Sequence, residues 1–189
     1  MPENILILGI GNVLYADEGI GVHFAHYFQN KYRIDGPVNV DFADGGTLAH
    51  ALIPMITQYD QVVVLDTIHS TQGQHGDVYF FDFDLVPHHI DFQGSAHEVE
   101  MLHTLTMMDM VGDRPQTFIL GVIPEVLESM SFALTDKVQQ AVPLMEQALL
   151  KHLRSLGLDC IELAQPDINE IAARSCHFGS DEGQHEATL

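Results

Sequence analysis

The chain is poor in positive charge: 7 Lys and Arg stand against 27 Asp and Glu, for a formal net charge of -20 over 189 residues. That imbalance argues against nucleic acid or an anionic membrane surface as partner, since both would be repelled. No run of about 18 apolar residues is present, so no membrane insertion is expected. The apolar N-terminus carries Glu3 with no Lys or Arg before it, and reads as a strand, not a signal peptide. The only cysteines, Cys160 and Cys176, form neither a C-x-x-C pair nor a framework. Reduced thiols in a cytoplasmic protein are the expectation. Two protease and hydrolase signatures, H-E-x-x-H and G-x-S-x-G, are also missing.

What is present suits one domain with a real core, given 46% hydrophobic residues, and would be cramped as two. Apolar runs at Ile5–Gly9, Val38–Ala43, Val62–Leu65, Val78–Phe81, Phe118–Val122 and Cys160–Leu163 read as strands. Between the first two, Ile20, Phe24 and Phe28 form one apolar stripe on a helix. A second helix is expected from Leu48 to about Thr57, kinked or ended by Pro54, and a third begins near His97. A fourth runs from Asp136 to Leu156, capped by Thr135 and stopped by Gly157, with Val138, Val142, Met145, Leu149 and Leu153 on its buried face.

This alternation predicts an α/β three-layer sandwich: a twisted, mostly parallel sheet of about five to six strands with helices on both faces. The Val78 strand is the candidate for an antiparallel edge. Residues 1–164 form the domain, and residues 165–189 read as a polar, flexible tail with little to bury.

Ligands of open α/β sheets bind outside the carboxyl ends of the strands, and the residues following the strands here are acidic. The first strand leads through Gly9-Ile10-Gly11 to Asp17 and Glu18, the second to Asp44-Gly45-Gly46-Thr47, and the third to Asp66. The glycine turn is no dinucleotide fingerprint: Leu14 occupies the place of the third glycine, and two carboxylates would repel a pyrophosphate. The segment Ser95-Ala96-His97-Glu98 reads as a capping box, which places His97 in the first turn of a helix at the same edge. Glu18, Asp66 and His97 then make a two-carboxylate, one-imidazole set able to hold a divalent cation, zinc or nickel, with positions open for water or substrate. Asp44 is expected to order its own turn by bonding nearby amides.

Five motifs in series, Gly9-Ile10-Gly11-Asn12 with Asp17-Glu18-Gly19-Ile20-Gly21, then Asp44-Gly45-Gly46-Thr47, Asp66, Ser95-Ala96-His97-Glu98 and Gly121-Val122-Ile123-Pro124-Glu125, resemble those of the [NiFe]-hydrogenase maturation endopeptidases. The resemblance covers roughly the first 155 residues. It implies a protease that removes a short C-terminal extension from the hydrogenase large-subunit precursor after nickel insertion, with that precursor as partner. It carries metal contacts onto Glu18, Asp66 and His97, directed at nickel held by the substrate; other divalent cations suit the same set. Asp17 and Asp44 lie in matching motifs as supporting residues. A monomer is expected. The alternative is a nickel-binding chaperone that cuts nothing, against which the twelve histidines count by being scattered instead of forming a tract.

Overall fold

Strand β1 (Asn4–Ile10) is buried along its length after Asn4, and its side chains divide between two cores. Ile5 and Ile7 join one apolar cluster, while Leu6, Leu8 and Ile10 join the other, as the two-residue period of a strand buried on both faces requires. A computed structural model of the chain describes residues 2–91, 96–126 and 130–175, with the side chains of 91 and 96–98 outside that description.

In chain order, β1 is followed by α1 (Ile20–Lys31), β2 (Tyr32–Asp35), β3 (Asn39–Gly46), α2 (Ile53–Ile56), β4 (Gln61–Thr67), β5 (His69–Ser70), β6 (Val78–Asp82) and β7 (Ile90–Asp91). Then come α3 (Ala96–Val111), β8 (Gln116–Val122), α4 (Asp136–Ser155), β9 (Asp159–Glu162) and α5 (Ile168–Arg174). The main sheet has five strands in the order β3-β1-β4-β8-β6. The first four run parallel and β6 pairs antiparallel at the edge.

Helices α1, α4 and α5 supply the core on one face of the sheet, and α2 and α3 supply it on the other. Ile20, Phe24 and Phe28 of α1 are all fully buried, as their spacing predicts. Helix α4 has its N-cap at Thr135, whose hydroxyl accepts from Val138 N, and Gly157 follows its end at φ 80°. Where one helix is expected over residues 48–57, a 3-10 turn at Ala49–Leu52 leads into the four-residue α2, with Pro54 in its first turn. Proline is tolerated there because the first amides of a helix have no partner within it.

Two expectations need correction. The Cys160–Leu163 run is a strand, but β9 pairs antiparallel with β2 in a separate two-stranded sheet. The tail expected from residue 165 is helical in its first part: α5 is capped by Asp167 and buries Ile168, Ile171 and Ala172 against α1. That short apolar stripe is enough to dock one turn and a half. Residues 176–189 lie outside the described residues, as does the Ser95 cap.

Candidate active site

The carboxyl edge of the parallel strands gathers the loops that sequence reasoning singled out. After β1 the chain turns through Gly11 at φ 140°, where an added Cβ would stand 1.8 Å from the Glu18 carbonyl oxygen. Only glycine allows the returning 3-10 turn, Ala16–Gly19, to press so closely on the strand end. Ala16 itself sits at φ 45°, a left-handed conformation that is unfavourable for a residue with a Cβ. Its amide donates to Ser131 O at 2.6 Å, so the strained turn is held by the loop that precedes α4.

This turn sends its two carboxylates in different directions. Asp17 is fully buried. Its Oδ2 accepts from Glu125 N at 2.9 Å, Val126 N at 3.0 Å and Thr135 Oγ1 at 2.9 Å, and its Oδ1 accepts from Thr135 N at 2.8 Å. Asp17 therefore ties the β8–α4 loop to the first turn and is spent on structure. Glu18, its neighbour, is only half-buried, and the turn that carries it packs against β4.

Asp66 is the penultimate residue of β4, paired in register with Gly121 of β8. It is 4% exposed, because Met101, Leu102 and Leu105 of α3 and Phe83 close a small cavity of about 10 Å³ beside it. Its Oδ1 accepts from Thr67 N at 2.7 Å. His97 is the second residue of α3, one turn ahead of Met101; its side chain is outside the described residues. Among the described residues no group of three His, Cys, Asp or Glu side chains is placed to hold a metal ion.

Asp44 behaves as expected: Gly46 N donates to its Oδ1 at 2.8 Å, with Gly46 at φ 55° completing the turn. His26 Nε2 stands 3.9 Å from Asp44 Oδ2. Its carboxyl is held below the ordinary range chiefly by His26, with the Gly46 amide adding to the effect and burial opposing both. Sequence reasoning missed this pairing, and it missed His23 one helical turn earlier. His23 is fully buried, its Nδ1 lies 3.3 Å from Ser175 Oγ, and its Nε2 has no hydrogen-bond partner among the described residues. Burial first, then nearby His26, lowers its pKa to about 4, with Asp44 opposing. The three-residue spacing of His23 and His26 behind the acidic turn is the signal that could have found them.

Comparison with known proteins adds the deciding observation. The hydrogenase maturation protease family (HycI) matches residues 22–152. The chain belongs to that family. It is 47% identical over 155 residues to Protein HydD of Wolinella succinogenes, covering 82% of this chain and 98% of the relative. It is 32% identical over 159 residues to the hydrogenase 2 maturation protease of Escherichia coli strain K12, covering 83% of this chain and 94% of the relative. The fold is similar to that of the hydrogenase maturating endopeptidase HybD from E. coli, with a TM-score of 0.74 at 28% identity over 84% of this chain and 97% of that one.

This maturation protease is therefore a hydrolase of peptide bonds, and the chaperone reading gives way to the enzyme. No helix among the described residues is long and apolar enough to cross a membrane.

Proposed function

We propose that this maturation protease removes the C-terminal extension of a [NiFe]-hydrogenase large-subunit precursor after nickel has been inserted, acting as a cytoplasmic monomer. Glu18, Asp66 and His97 contact the nickel that the precursor already holds. The metal is thus part of the substrate, and its presence reports that insertion is complete. The observation that supports this reading is the shared edge: the Glu18 turn packs on β4, whose end bears Asp66, and Asp66 lies beside Met101, Leu102 and Leu105 of α3, the helix whose second residue is His97. Two carboxylates and an imidazole suit a divalent nickel centre with positions left for its own ligands.

Such a set also accounts for peptide hydrolysis without a nucleophilic serine or cysteine. A carboxylate accepts the proton of the attacking water as it adds to the scissile carbonyl and returns it to the leaving amine as the C–N bond breaks; the precursor's metal, docked at the same place, would supply Lewis-acid polarisation. The enclosure of Asp66 by α3 keeps bulk water from one side of that carboxylate, which strengthens its interaction with charge brought in by the substrate.

The test is mass spectrometry of a matched large-subunit precursor, nickel-loaded and nickel-free, incubated with the protein and with its Glu18→Ala, Asp66→Ala and His97→Ala variants. The expected result is loss of a C-terminal peptide from the loaded precursor alone, and only with the unmodified protein. Equal cutting of the nickel-free form would overturn the metal-sensing reading. Normal cutting by all three variants would overturn the site assignment.

A further inference from the structure

On the same sheet edge as Asp66, beyond the end of β4, lies a cleft of about 440 Å³ lined by His69, Ser70, Gln74, His75, Pro124 and Lys137 among others. Its walls are the chain just beyond β4, the loop leading into β6 and the first turn of α4. The volume is in the range that holds a short ligand segment and too small for a folded element. His69 follows Asp66 by three residues, so their Cα atoms are at most about 11 Å apart, a span that an extended peptide covers in about three to four residues.

The chemistry of the cleft departs from that of the rest of the molecule. In a chain with only 7 Lys and Arg, Lys137 stands in the first turn of α4, where the helix dipole disfavours a cation. Among the described residues Lys137 forms no ion pair, as Lys151 and Arg154 also do not, whereas Lys31, Arg33, Arg114 and Arg174 are paired with carboxylates. The nearby Asp77 carboxylate is engaged, accepting from Gln74 N at 2.8 Å. His75 Nδ1 lies 2.6 Å from Pro124 O; a carbonyl can only accept, so Nδ1 donates, and Nε2 is the nitrogen left to a ligand. In the neutral ring that nitrogen accepts a peptide N–H.

We infer that this cleft receives the stretch of the precursor just beyond the scissile bond, with Lys137 selecting an acidic side chain within its first five residues and His75 accepting from its backbone. The inference rests on the proteolytic reading above, and it assigns a specificity role to a site outside the three candidate catalytic residues.

Two measurements test it. In cleavage assays on the matched nickel-loaded precursor, Lys137→Glu should raise KM at least tenfold, and replacing the precursor's acidic residue by lysine should recover most of that loss. In fluorescence anisotropy, the labelled extension peptide should bind the unmodified protein and bind Lys137→Glu at least tenfold more weakly. The peptide with lysine in place of its acid should show the reverse preference. Because binding is read without turnover, a protein that bound the peptide but cut nothing would sink the proteolytic reading and leave the subsite standing. An unchanged KM and unchanged binding for Lys137→Glu would overturn the subsite, as would a matched extension with no acidic residue in its first five positions.

Discussion

Replacing Asp17 with alanine should unfold much of the protein's margin of stability without touching a residue proposed to meet the substrate. The carboxylate is fully buried and accepts four hydrogen bonds, three on Oδ2 and one on Oδ1, from donors that lie 108 to 118 residues away in sequence. Alanine leaves three backbone amides and the Thr135 hydroxyl without their acceptor. Even at about 1 kcal/mol per donor, the low end of the cost of an unmet buried polar group, the loss is about 4 kcal/mol. Total stabilities of such domains are about 5–15 kcal/mol, so the variant should be marginal at 25 °C. Asparagine keeps the shape and one acceptor oxygen but turns an NH2 toward donors, and should cost about 2 kcal/mol.

Urea denaturation followed by far-UV circular dichroism reads both numbers, and hydrogen exchange at Glu125, Val126 and Thr135 reads where the loss falls. The expected order of midpoints is parent, Asp17→Asn, Asp17→Ala, with exchange fastest in the loop before α4. An alanine variant within about 1 kcal/mol of the parent would refute the assignment, since four simultaneous bonds to a buried charge cannot be that weak.

Other perturbations have equally definite outcomes. Glu146 accepts from Tyr27 at 2.7 Å, Tyr32 at 2.6 Å and Lys31 at 3.0 Å; burial alone would raise its pKa, but these bonds outweigh it and lower it from 4.5. Glu146→Gln should therefore lose about 1–3 kcal/mol at pH 7, and the difference from the parent should shrink as pH falls below 4.5, read from urea midpoints across pH. For His23, lowered from 6.5 to about 4, the unfolded chain gains a proton that the folded one refuses. Stability is thus full above 6.5 and declines by about 3 kcal/mol as pH falls toward 4. His23→Leu should flatten that slope in thermal melts, and an unchanged slope would assign it elsewhere. Gly11→Ala should cost more than about 3 kcal/mol in the same melts, because its Cβ would meet the Glu18 carbonyl at 1.8 Å and φ 140° strains any L side chain.

The centre of the sheet was legible because β1, β4 and β8 are mostly buried on both faces and read as apolar runs between helical stripes. Strand β2 was not, since Tyr32–Asp35 follows α1 directly with no turn residue to announce it. Its partner β9 was legible as a strand but not as to which sheet it joins, because pairing is a long-range property. Helix α5 escaped for a different reason: two isoleucines and an alanine in a polar segment carry too little periodicity over seven residues to stand out. At the site, the motif spacing pointed to the carboxyl edge of the parallel strands, where the turn after β1 packs against β4. What it could not distinguish was the environment of each acid, since the residue type is the same for a carboxylate buried on amides and one left half-open.

That distinction explains how a short acidic motif does two jobs. Adjacent residues in a turn point apart, so Asp17 can be sunk into the β8–α4 loop while Glu18 stays at the edge beside β4. The buried partner fixes the backbone from which the half-buried one projects. The same bonds hold Thr135, whose hydroxyl caps α4, and α4 carries Lys137 two residues later into the cleft. One carboxylate thus sets the relative position of the proposed metal contact and the proposed peptide subsite. Asp17→Asn should accordingly lower kcat/KM on the nickel-loaded precursor even under conditions where the variant is fully folded, and its effect should combine less than additively with Lys137→Ala, because the first displaces the helix end that presents the side chain the second removes. Strict additivity of the two would show that loop and subsite are independent, and the coupling through Thr135 would have to be abandoned.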